Sequence, residues 1–125
     1  MITTLALLAA CDGTDPTTTD SDSAAPAELP IELGDCAEGT TLGWADVETI
    51  FADACTSCHS TALEGEARNG ATEFFDYDTA EAAIASNSFL TWSVIYSGQM
   101  PKNEGPLPDD QRWLLWEWLS CGGPE

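Results

Sequence analysis

Asp53 to Ala62 reads DACTSCHSTA, and the chemistry of this segment decides what can fold around it. Cys55 and Cys58 are separated by Thr56 and Ser57, and His59, the only histidine of the chain, follows directly. Three chemistries use such a group: a redox dithiol, half of a zinc site, or the attachment point of a haem. The residues on either side discriminate among them.

Upstream, Trp44 to Cys55 predicts a helix. Val47, Ile50, Phe51 and Ala54 fall at i, i+3, i+4 and i+7 and form one apolar face. Asp46 and Glu48 sit in its first turns, where the helix dipole favours carboxylates. Downstream, His59 to Asp78 is loop-like and broken by Gly65 and Gly70. Asp78 with Glu81 three later makes a capping-box-like start for a short alanine-rich helix to about Ala85. Ser88 to Ser97 predicts a further helix, with Gly98 as its stop. The segment GQMPKNEGPLP, 98–108, is extended and punctuated by proline. Asp109 to Ser120 predicts a strong last helix, with Leu114, Leu115, Trp118 and Leu119 inward and Gly122 and Gly123 ending it. No sustained period-two run occurs, so the fold class is all-α.

A chain of 125 residues forms one domain of modest size, which a covalent cofactor or cross-link would help to stabilise. Its formal net charge is -19, with only 3 lysines and arginines, which excludes nucleic acid as a partner. Most of the carboxylates read as a solvated acidic surface, which suits a basic protein partner or plain solubility. Residues 1–10 read as a secretory signal: the apolar run is far short of the roughly 20 residues a spanning helix needs. Leu8-Ala9-Ala10-Cys11 is similar to a bacterial lipobox, which makes Cys11 the expected acylation site. No Lys or Arg precedes the run, so either the start lies upstream or the signal is atypical. Residues 11–33 read as a disordered tether rich in Asp, Thr, Ser and Pro, and 34–125 as the folded domain. A flexible tether of that kind reaches roughly 25 Å.

Five cysteines need assignments. With Cys11 given to lipid and Cys55 and Cys58 to the motif, Cys36 and Cys121 remain as an even pair. In an exported protein they are a candidate disulfide, free thiols being the alternative. Closing that loop would contribute about 4 kcal/mol in the chain-entropy model. The sequence does not show that the two are close enough to bridge.

A zinc site needs four ligands, usually as two separated pairs, and no second pair exists here. A thioredoxin-like dithiol follows a strand in a βαβ unit, whereas this one follows a helix. C-x-x-C-H remains as the c-type haem attachment signature. Two thiols add to the two vinyl groups, and the adjacent imidazole faces the iron. A low-spin haem needs a second axial ligand, commonly His or Met. Apart from Met1, in the signal segment, the only candidate is Met100, held by Pro101 in a stiff segment. The competing reading of Met100 is a core filler, and Lys102 is a remote substitute ligand.

From Trp44 to Gly123 the chain resembles the class I cytochrome c family, of the small bacterial monohaem type. The resemblance rests on Phe51 four before the first cysteine, Cys55-Thr56-Ser57-Cys58-His59, Met100-Pro101, and a last helix opened by LPDDQ and carrying LLWEWL. It implies a cytochrome c fold, about four short helices wrapped around one covalently attached haem c. It also implies that the first and last helices cross near the haem, with Phe51 packed on an aromatic residue such as Trp118. Many members carry a proline soon after the motif whose carbonyl accepts the histidine Nδ1–H. Here Ser60 to Gly65 has none, and the sequence does not say which carbonyl takes that role. Trp113 and Trp116 lie off the inward stripe, to shield core, cover the tether or meet a partner.

The expected function is therefore electron transfer, with His59 and Met100 as axial ligands and no catalytic residues. The expected partners are redox proteins with a basic docking face, met by a monomer exported to the periplasm or cell surface and held to the membrane by lipid alone. The alternatives are a five-coordinate haem enzyme or gas or peroxide sensor, should Met100 not ligate, and a fixed haem subunit of a larger respiratory complex.

Overall fold

The structure is a computed structural model that describes residues 28–125. The expected signal segment 1–10, the acylation site Cys11 and tether residues 11–27 lie outside the described residues. Among the described residues the protein is all-α: four helices, α1 (Trp44–Ala54), α2 (Ala80–Ala85), α3 (Asn87–Leu90) and α4 (Asp109–Ser120), with no strand. A short 3₁₀ turn (Gly65–Arg68) and a π-helical segment (Thr91–Tyr96) complete it. No described helix is long and apolar enough to cross a membrane.

The apolar periodicity of α1 is realised: Val47, Ile50 and Phe51 are buried. Asp46 secures the helix start by accepting the Gly43 N–H at 2.8 Å. On α4, Leu115, Trp118 and Leu119 are buried while Leu114 is only partly so. The two helices meet through aromatic faces. The rings of Phe51 and Trp118 lie edge to face at 5.9 Å, and Trp44 stacks on Phe51 at 5.1 Å. Trp118 is completely buried. Side chains of this size bury about 150–250 Å² each, so this crossing dominates the core energetically. Its indole N–H is satisfied by the Pro124 carbonyl at 3.0 Å.

The second half departs in detail from the periodic reading. Thr79, not Asp78, caps α2, its hydroxyl accepting the Ala82 N–H at 3.2 Å. The Asp78 carboxylate instead takes the Thr61 N–H at 2.7 Å, because the chain after His59 brings an unpaired donor to it. The helix expected over Ser88 to Ser97 is present but widens after Leu90. Thr91 and Ser93 bond back to the carbonyls of Asn87 and Phe89, which competes with the regular ladder there. Gly98 (φ +63°) then turns the chain so closely against Pro106 that a side chain would collide with it.

Cys36 and Cys121 form a disulfide, with Cα atoms 4.4 Å apart. Leu29 and Leu33, from the segment assigned to the tether, pack against the core. Beside them Trp116 donates its indole N–H to the Glu32 carbonyl at 2.9 Å, and Gly34 donates to the Ser120 hydroxyl at 3.1 Å. Trp116 both shields the core and covers this incoming segment, with Trp113 edge-on against it at 5.5 Å.

Candidate functional site

Where α1 ends, the backbone closes one tight turn. The Cys55 carbonyl accepts from both the Cys58 and the His59 N–H, at 3.1 and 2.9 Å. That turn puts Cys55, Cys58 and His59 on the wall of one cavity of about 520 Å³. Phe75, Tyr77, Phe89 and Val94 supply apolar lining, and Met100 reaches the same cavity from 41 residues downstream. Lys102, Asn103 and Glu104 edge it. The volume falls in the range of about 300–1,000 Å³ usual for small-molecule sites.

Cys55 and Cys58 are both free thiols. Burial pushes the Cys55 thiol up to about 12, so it stays neutral at physiological pH. His59 Nδ1 lies 2.6 Å from the Phe75 carbonyl oxygen. A carbonyl only accepts, so Nδ1 carries the proton, and the Nε2 lone pair is left for a metal. Phe75 is thus the carbonyl that accepts the His59 Nδ1–H, the acceptor the sequence left open. The His59 carbonyl accepts the Tyr77 N–H at 3.0 Å, and the Tyr77 ring packs on the imidazole at 5.2 Å.

The loop that delivers Phe75 is built on Arg68, a residue the sequence reading passed over. Arg68 is 3% exposed. Its guanidinium donates to the carbonyls of Ser60 (2.7 Å), Leu63 (3.3 Å), Ala71 (3.2 Å) and Thr72 (2.8 Å), and to the Asp76 carboxylate. A signal was present in the rarity of the residue. It is one of 3 cations in a chain of net charge -19, set in a glycine-flanked loop with Asp76 eight residues on.

Tyr77 is 2% exposed, and its hydroxyl has no hydrogen-bond partner. Burial holds the phenol above its ordinary range, with Cys55 adding to the effect. The neighbouring Ser86 side chain opposes this without meeting hydrogen-bond geometry. The phenol is a neutral donor without a partner, on a residue that lines the cavity.

These donors suit a covalently held haem: two thiols on one turn, an imidazole with its tautomer fixed, a thioether sharing the cavity, and apolar walls. Zinc is poorly served. Among the described residues, Cys36 and Cys121 are consumed by their disulfide, leaving Cys55, Cys58 and His59 without a fourth thiol or imidazole. No protein-family model matches the chain, and neither a characterised protein nor a solved structure shows significant similarity to it.

Proposed function

We propose that the protein is a monohaem electron carrier with a cytochrome c fold, holding its haem through Cys55 and Cys58 with His59 and Met100 as axial ligands. The observation that carries the reading is the convergence of these four side chains on one apolar cavity, with His59 Nδ1 bound to Phe75. The haem, when bound, supplies one-electron iron redox chemistry.

The chain's part is to bind, orient and exclude water. Cys55 and Cys58 would hold the haem as thioethers, their S–H bonds adding across its two vinyl groups, and burial keeps the Cys55 thiol neutral so that no charge has to be buried there. The Phe75 carbonyl holds the imidazole of the cavity-lining His59 through Nδ1, which would leave Nε2 for the iron. The Met100 sulfur is a soft donor that favours the reduced metal, and Phe75, Phe89 and Val94 keep water away. The acidic surface suits a redox partner with a basic docking face and an association that slows with added salt. The proposal extends to an exported monomer anchored through Cys11.

The test is the optical spectrum of the ferric protein, wild type against Met100→Ala. A methionine–iron charge-transfer band confined to the wild type is the expected result. High-spin iron in the wild type would replace the carrier reading with the five-coordinate one.

A further inference from the structure

The segment carrying Met100 is suspended from the π-helical stretch. In that stretch the Ser97 N–H reaches back five residues to the Trp92 carbonyl at 2.9 Å, not four to Ser93. The Ser93 carbonyl is thereby released from the ladder. It accepts the Met100 N–H at 3.0 Å and the Ser97 hydroxyl at 3.3 Å, which uses both of its lone pairs.

A π register is rare and needs a reason to persist. Its last carbonyls have no helical partner beyond Ser97. Arg112 on α4 provides one: Nε donates to the Ile95 carbonyl at 2.7 Å and a terminal nitrogen to the Tyr96 carbonyl at 2.8 Å. Asp109 steadies the guanidinium at 3.1 Å. Arg112 does not line the cavity. Slippage to the ordinary α register would make the Ser97 N–H claim the Ser93 carbonyl, the acceptor that Met100 uses.

We propose that Arg112 is a positioning residue for the Met100 ligand: by capping Ile95 and Tyr96 it holds the π register that leaves the Ser93 carbonyl to the Met100 N–H. This rests on the reading of Met100 as an iron ligand.

The experiment follows the methionine–iron band and helical circular dichroism during heating of the ferric protein. It compares wild type, Arg112→Met, Arg112→Lys and, as a control for plain destabilisation, Val47→Ala. In Arg112→Met the band should vanish well below the temperature at which the helices melt, and the reduction potential should fall. Arg112→Lys, with one donor group in place of the fork, should be intermediate. In Val47→Ala the band and the helices should disappear together at a lower temperature. A second readout does not depend on iron: exchange of the Met100 amide should quicken by about tenfold in Arg112→Lys. The proposal is overturned if Arg112→Met keeps its band until the helices melt, or if Met100 exchange is unchanged in Arg112→Lys. A wild type with no band to lose would overturn the ligand reading itself, and is recognised before any variant is made.

Discussion

His59 Nδ1 and the Phe75 carbonyl oxygen, sixteen residues apart in the chain, lie 2.6 Å from each other. The acceptor is backbone, so no side-chain substitution removes it. What can be altered is the set of clips that hold the Phe75 carbonyl at the edge of the imidazole: Arg68 to Asp76, Asp78 to Thr61, and the Tyr77 N–H to the His59 carbonyl.

Asp78 gives the first prediction, a dependence on pH. Partial desolvation raises its pKa, but hydrogen bonds from the Thr61 backbone and from the Ser60 and Thr61 side chains outweigh this and hold it below the usual value. A depressed folded-state pKa contributes stability above the unfolded value of about 3.9, and that stability is lost as pH falls through the folded value. Asp78→Asn should therefore lower Tm at neutral pH, and its gap from wild type should close in acid. Melting curves between neutral and strongly acidic pH measure this, and a gap independent of pH would contradict it.

Arg68→Met should destabilise the protein by about 3–5 kcal/mol, because it leaves Asp76 and four carbonyls without their buried donor. Arg68→Lys should recover only part of this, since one ammonium cannot reach acceptors on so many sides. Urea denaturation gives both values. A cost below about 1 kcal/mol for Arg68→Met would mean that the loop is organised by something else.

The disulfide closes a loop of 85 residues. Replacing Cys36 and Cys121 together by serine should cost about 4 kcal/mol in the chain-entropy model. Chemical reduction of the wild type should bring its denaturation midpoint to that of the double variant. A residual difference between the two would show that the serines disturb the native state.

Trp118→Ala should cost about 3–5 kcal/mol, the usual range for removing a buried large aromatic side chain. Phe51→Ala combined with it should cost less than the sum of the single changes, because the two rings share one contact. A double-mutant cycle checks this, and strict additivity would argue against an energetic link across the helix crossing.

The parts legible in the sequence were those that depend on local periodicity and on residue identity. α1 and α4 lie where their apolar stripes fall, and Phe51 meets Trp118 as the resemblance implied. Cys55, Cys58, His59 and Met100 were chosen by type and spacing, and the fold brings them to one cavity. Contacts whose partner is backbone were not legible. The Phe75 carbonyl, the acceptors of Arg68 and the carbonyls capped by Arg112 carry no side-chain signature, so only the folded path of the chain reveals them. The π register was hidden for a related reason. Its sequence satisfies a helical period, and the change of pitch comes from hydroxyl and loop partners that periodicity does not record.

The Cys36–Cys121 bridge also has a mechanical meaning. Tension applied between residues ahead of Cys36 and residues after Cys121 passes through the S–S bond and bypasses everything from Ala37 to Ser120. The helices, the turn at Cys55 and the loop bearing Met100 all lie inside that shunt. Pulled from its ends, the oxidised chain should lengthen only by its outer segments, and the reduced chain should unravel under the same force.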